Sequence, residues 1–288
     1  MHWTPRREKF RSILTGESCV HPGSVFDPIS ARIAEDLGFE VGMFAGSVGS
    51  MTVLGAPDLI VLTLSEFANQ AYRINRAGGL PLLVDADHGY GNALNVKRTV
   101  EELETAGVAA LTIEDTDLPQ PHGTVGTMRL IPIEEGVGKM KAALAGRSDP
   151  ALVVAGRTSA ISINGLDDAI ARATAYEAAG VDAMFFNGVR ERAQLDAIAA
   201  ALNIPIFLGG AIGEVLDLDY LSASGVRIAL QGHQPFMAAV NAVHETLKAL
   251  REGTSPGDLS GVASGDLMKR VTRDDDYRRW IDEFLGES

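Results

Sequence analysis

The chain has 288 residues, 46% of them hydrophobic, enough for a sizeable core arranged as one large domain or two of average size. Its 38 acidic and 25 basic residues leave a net charge of -13, and no cluster of Lys or Arg rises above that background to follow a phosphate backbone, which argues against nucleic acid as a partner. The stretch MHWTPRREKF lacks the apolar core of a signal peptide, no run of roughly 18 uncharged apolar residues could span a membrane, and the lone Cys19 cannot form an internal disulfide; a cytoplasmic protein is expected.

Short apolar runs alternate with longer stretches rich in Ala, Leu, Glu and Arg, the pattern of repeated β-α units around a parallel sheet. Strands are predicted at 20–26, 41–46, 80–85, 110–114, 151–157, 183–187, 204–209 and 227–231. Four of the helical stretches end alike, in DLGFE, TAGVAA, AAGVDA and ASGVRI. Each puts a glycine after a helix and before a strand, where it can take the left-handed cap conformation and turn the chain inward. Eight units predict a (β/α)8 barrel. The rival is an open doubly wound sheet, but VHPGSVFDPIS around the first strand holds no GxGxxG. Beyond the eighth unit, SPGDLSGVASG reads as a linker and DLMKRVTRDDDYRRWIDEF as a charged helical pair, packed on the barrel or on a neighbouring subunit. One α/β-barrel domain is therefore expected over 1–288, with the barrel at about 18–252 and a C-terminal helical extension at about 262–288.

In a barrel the functional face lies where strands finish. Asp85 and Asp87 follow PLLV, Glu114 and Asp115 follow ALTI, and Arg157 follows ALVVAG. The two-residue period of a strand puts Asp85 and Asp87 on one side if the strand continues that far. Converging carboxylates are costly unless protonated, hydrated or neutralised by a cation. Their oxygens suit a hard divalent ion, Mg²⁺ or alternatively Mn²⁺, whereas zinc would call for His and Cys at close spacing. The plain alternative is that each acid caps a helix or solvates a loop. Nearby, Asn92 is the expected cap of a helix starting at Ala93. His88 either bonds a water of the site or supports the loop, Tyr90 is given no chemistry, and Cys19 is read as a small buried hydrophobe.

Taken in order, SVFDPISARIAEDLGFE, AGSVGS, DADHGYGN, TIEDT and AGRT resemble the isocitrate lyase and phosphoenolpyruvate mutase superfamily over about residues 24–240. The resemblance implies an α/β barrel whose terminal helices can be exchanged between subunits, homotetramers built as dimers of dimers, Mg²⁺, and small α-keto or α-hydroxy carboxylate substrates. It implies Asp85 as the principal metal ligand, with Asp58, Asp87 and Glu114 acting through water. Gly46 and Ser47 match the motif that grips a substrate carboxylate, and Arg157 matches the arginine that pairs with substrate oxygens. The loop DLPQPHGTVGTMRL lacks the lysine-lysine-cysteine-glycine stretch of the family's carbon-carbon lyases, and the loop lysine and asparagine of mutases and phosphonate hydrolases are not recognisable. DADHGYGNALNV and the late QGH resemble instead the bacterial branch that decarboxylates oxaloacetate. His233 is then expected to contact substrate and transfer a proton, the plain alternative being a histidine that caps the following helix. The implied reaction is Mg²⁺-dependent loss of CO₂ from oxaloacetate through an enolate, giving pyruvate, with Arg157 and His233 catalytic. The alternatives are a lyase or hydrolase of a related 2-oxo- or 2-hydroxy-carboxylate or phosphonate, and a noncatalytic carboxylate-binding barrel. One departure is FLGGAIGEV, where Gly209, Gly210 and Ala211 stand in place of a tyrosine of that branch.

Overall fold

Runs such as LLVD and ALTIE are apolar at nearly every position, so strands built from them need cover on both faces, as in a parallel sheet flanked by helices. The computed structural model, which describes residues 3–124, 126–210 and 215–286, has that arrangement. The strands β1 (Gly23–Ser24), β2 (Gly42–Phe44), β3 (Leu82–Asp85), β4 (Ala110–Glu114), β5 (Val153–Thr158), β6 (Ala183–Phe186), β7 (Ile206–Leu208) and β8 (Val226–Ala229) pair in that order. Every pairing is parallel. A parallel bridge between Val20 and Ile228 brings the start of the series onto its end. The fold is a (β/α)8 barrel of the TIM type, as expected.

All eight predicted strands are present, most of them shorter than predicted. The clearest case is the first, expected over 20–26: Pro22 has no N–H to donate, so the ladder splits into the Val20 bridge and the two residues of β1. The four anticipated glycines at helix ends all have left-handed backbones, Gly38 at φ 85°, Gly107 at 88°, Gly180 at 100° and Gly225 at 78°. The core is formed by strand residues such as Leu83, Leu111, Val154 and Phe207, all fully buried.

The chain divides into two compact units, Met1–Gly232 and His233–Ser288. The first unit also holds a helix, Thr4–Leu14, in the segment ahead of the expected barrel. Its arginines are tied to other elements: Arg7 is fully buried with Nε on the Val108 carbonyl at 3.0 Å, and Arg11 donates to the carbonyls of Ala151 and Leu152. The second unit has a helix at Gln234–Arg251 and then the expected pair, Gly265–Thr272 and Asp274–Leu285. Arg273, with φ 61°, makes the break between the last two.

Candidate active site

Asp85 is the last residue of β3, Glu114 the last of β4, and Arg157 lies one residue before the end of β5. Register pairs Glu114 with Arg157 and Arg157 with Phe185. Neighbours paired in a parallel sheet share a face, so these three side chains stand in one row. The Arg157 guanidinium pairs with Asp85 through Nη1, and its Nη2 lies 3.3 Å from Glu114 Oε2. Its carbon is 5.4 Å from the centre of the Phe185 ring. The Asn187 amide, with its oxygen turned to the guanidinium, accepts from Nε and Nη2 of Arg157, both at 3.2 Å.

Asp87 arrives by a different route from the one its spacing predicts. Strand β3 ends at Asp85, and Asp87 itself has φ 48°, a left-handed conformation that costs a non-glycine residue about 1 kcal/mol. A turn, not strand alternation, therefore carries it. The Asp87 amide donates to Asp85 Oδ1 at 3.1 Å, and its carbonyl accepts from the Glu114 amide at 2.8 Å. Gly46, at the start of the short helix Gly46–Gly49, lies under its carboxylate, where a Cβ would stand 2.5 Å from Asp87 Oδ1.

A cavity of about 450 Å³ takes in Asp58, Asp85, Asp87, Glu114 and Arg157 together. Leu59, Ile60, Leu118, Pro119 and Met128 supply apolar lining from two loops. The base of the second loop is closed by a bridge between Thr116 and Leu130 and an ion pair of 2.8 Å between Asp117 and Arg129. Of the remaining expected residues, Gly46 and Ser47 are not in the cavity wall; Gly46 stands behind Asp87. His233 belongs to the second unit as the N-cap residue of Gln234–Arg251. Its carbonyl accepts from the Phe236 amide at 3.1 Å, and its side chain makes no capping bond. Ala211 lies outside the described residues, while Gly209 packs directly against the Asn187 amide.

Burial, reinforced by Asp85, Glu114 and Asp58, pushes the Asp87 carboxyl well above the usual carboxylate range, with Arg157 opposing. Burial raises Glu114 as well, again against Arg157. Burial works against the charge on Arg157, but Asp85 and Glu114 outweigh it and keep the guanidinium more firmly protonated than usual. His88 is buried, and burial followed by the Lys139 ammonium holds its imidazole down at about 4, hence neutral at pH 7. It is not in the cavity wall, and of its two expected roles it fits support of the loop. Asn92 caps its helix as anticipated, accepting from the Leu94 amide at 2.9 Å. Cys19 is buried, with its thiol pushed up to about 11, chiefly by burial, so it is an inert core residue.

Among the described residues, no three side chains of His, Cys, Asp or Glu converge closely enough to hold an ion as they stand. The Arg157 guanidinium stands between Asp85 and Glu114 instead. The donor chemistry nevertheless fits a hard divalent cation: four carboxylates share one cavity, two of them with carboxyl groups that burial and mutual repulsion make costly to ionise. Ser159 and Asn187 in the cavity wall were not singled out from the sequence. The signal for Asn187 was present: it ends an apolar strand run with a polar residue, as Asp85 does.

The chain is 61% identical over 286 residues, 99% of both proteins, to a curated oxaloacetate decarboxylase of Bradyrhizobium diazoefficiens. Among solved structures, oxaloacetate acetylhydrolase in complex with the inhibitor 3,3-difluorooxalacetate superposes with a TM-score of 0.85 at 28% identity, covering 99% of this chain and 98% of the other. A phosphonopyruvate hydrolase in complex with oxalate and Mg²⁺ gives 0.84 at 28% identity, covering 97% and 99%. The family model described as phosphoenolpyruvate phosphomutase matches residues 10–251, and on that match and the close relatives, the chain belongs to the phosphoenolpyruvate phosphomutase family.

Proposed function

We propose that this protein decarboxylates oxaloacetate to pyruvate and CO₂ with the help of a divalent metal ion, Mg²⁺ or Mn²⁺. The observation that carries the reading is the composition of the cavity wall. Four carboxylates and one guanidinium line a space that has to receive a dianion, a charge balance that a bound cation restores. The identity of 61% with a curated oxaloacetate decarboxylase supplies the substrate.

Asp85 would hold the ion directly, and Asp58, Asp87 and Glu114 through water. A bound divalent ion supplies Lewis acidity at the 2-oxo group, which drains electrons from the C3–C4 bond. The chain's own residues do the remaining work. Arg157, fixed by Asp85, Glu114 and Asn187, offers a permanent positive charge to the oxygen of the developing enolate. As C3–C4 breaks, its electron pair moves into the enolate, CO₂ departs from C4, and a proton at C3 completes pyruvate. Gly46 and Ser47 are assigned to the substrate carboxylate on the match of AGSVGS to the family motif alone, since neither lines the cavity. His233 is assigned to proton transfer, a role that rests on its place in the chain after β8.

Hydrolysis of oxaloacetate to oxalate and acetate is the second reading, favoured by the close superposition on oxaloacetate acetylhydrolase. One assay separates the two. Fresh oxaloacetate is incubated with the protein, in Mg²⁺ and in EDTA, with correction for spontaneous and metal-catalysed decay, and pyruvate, CO₂, oxalate and acetate are measured. Pyruvate release in proportion to enzyme, abolished by EDTA, is expected; oxalate with acetate would establish the hydrolase instead. Asp85→Ala is expected to lose at least about a hundredfold in metal-dependent turnover while keeping its far-UV circular dichroism. Near-normal activity in that variant would remove the metal mechanism.

We further infer a homotetramer, with the barrel and its C-terminal extension as one domain and the terminal helices exchanged between subunits. Support comes from exposed apolar residues Val240, Val243, Leu247 and Leu250 along one face of Gln234–Arg251. No helix among the described residues is long and apolar enough to cross a membrane, and a cytoplasmic enzyme acting on a small 2-oxo acid is the reading adopted.

A further inference from the structure

The turn that delivers Asp87 is strained, with left-handed backbone at Asp87, Gly89, Tyr90 and Gly91. Donors from three separate elements hold its carbonyls. The Glu114 amide takes that of Asp87 at 2.8 Å, Lys139 Nζ that of His88 at 3.0 Å, and Thr99 Oγ1 that of Gly89 at 3.0 Å, a hydroxyl shared with the Asn95 carbonyl at 2.9 Å. Lys139, on the helix Ile133–Gly146, is 3% exposed, and Thr99, on the helix Ala93–Thr105, is fully buried. The Lys139 ammonium forms no ion pair among the described residues; the acids whose fields it feels are Glu135, Glu114, Asp115 and Asp117. Burying an ammonium on a single carbonyl costs several kcal/mol, and an aliphatic side chain of the same length would fill the space at lower cost. Packing therefore does not explain why this position is a lysine.

We propose that Lys139 is a positioning residue for the acidic cluster: together with Thr99 it locks the turn at 86–91 so that Asp87 faces the cavity before any ion arrives. The inference rests on the reading of Asp85, Asp87, Glu114 and Asp58 as a metal site. Groups that orient ligands in this way typically change metal affinity by about 10- to 100-fold when removed.

The test is Mn²⁺ binding to the EDTA-stripped full-length protein, followed by isothermal titration calorimetry and by the electron spin resonance signal of free Mn²⁺, so that turnover is not the readout. Lys139→Met is expected to bind roughly 10- to 100-fold more weakly than the parent, with unchanged circular dichroism. Lys139→Arg, which keeps a donor and a charge, is expected to recover affinity to within about threefold of the parent, a rescue that a general packing defect would not produce. Thr99→Val frees the neighbouring carbonyl without altering any charge, remains informative should the methionine variant not fold, and is expected to lose about three- to tenfold. Parental affinity in folded Lys139→Met, or in Thr99→Val, overturns the inference while leaving the metal site standing. Absence of Mn²⁺ binding by the parent overturns the metal reading itself, and this inference with it.

Discussion

At residue 46 the space for a side chain is already taken by the Asp87 carboxylate, 2.5 Å from where a Cβ would sit. Gly46→Ala must push Asp87 off its position, and a displacement of about 1 Å in a preorganised site can cost roughly a hundredfold in rate. A fall in kcat of that order, with the melting temperature nearly unchanged, is expected from steady-state kinetics in Mg²⁺; an unchanged kcat would remove Asp87 from the machinery. Gly209 is the counterpart on the other wall. Any side chain there displaces the Asn187 amide, which accepts from Nε and Nη2 of Arg157 at 3.2 Å. Gly209→Ala should therefore lower kcat/KM for oxaloacetate by at least about tenfold, since the lost support is for a charge that acts on the developing enolate, while Asn187→Ala alone should reproduce most of that change.

Among the elements, the helix Thr4–Leu14 shows how a charged segment can be part of the core. Arg7 is fully buried, with Nη1 on Asp149 at 2.7 Å and Glu104 at 3.8 Å. Burial works to raise the Asp149 carboxyl, but hydrogen bonds from Arg7, Ala151 and Thr4 prevail and hold it below the usual range. Its folded value is thus lower than its unfolded one. The pair stabilises the fold above the unfolded carboxylate value of about 3.9, and that stabilisation disappears as pH falls through the folded value. Asp149→Asn is expected to be less stable than the parent by roughly 2–3 kcal/mol at pH 6, short of complete loss of a buried pair because Glu104 remains. Calorimetry from pH 6 down to about 3 should show the gap closing; a gap independent of pH would mean that the carboxylate charge does not matter there.

For the molecule as a whole, the feature that bears on assembly is a pair of helices with exposed apolar faces. Val240, Val243, Leu247 and Leu250 are exposed on one helix, and Tyr277, Trp280, Ile281 and Phe284 on another, at spacings that put each set on one helical face. Sedimentation velocity at micromolar concentration should report a tetramer of the 30.5 kDa chain, and Leu247→Glu should shift the distribution to smaller species. A monodisperse monomer of the parent would refute the assembly.

Much of this protein is local in origin. The alternation of apolar runs with helical stretches, the glycines after helices and the Asn92 cap depend on neighbours in the chain, and the fold class follows from them. The acids at strand ends are local too, because strand length decides which residue finishes at the barrel mouth. Partnerships across the chain are another matter. Arg157 meets Asp85 across 72 residues, and Lys139 meets the His88 carbonyl across 51. No spacing rule encodes those meetings, since they depend on which strand lies beside which and how far each helix is rotated. The same holds for the left-handed turn at Asp87, which the strand period misreads, and for the helix Thr4–Leu14, whose arginines look like surface charge until the carbonyls and carboxylates they satisfy are in view. The eight-unit barrel and the kinds of side chain at its mouth are thus written locally along the chain, whereas which of them meet follows from the fold, because close packing of distant segments, not local conformation, sets those distances.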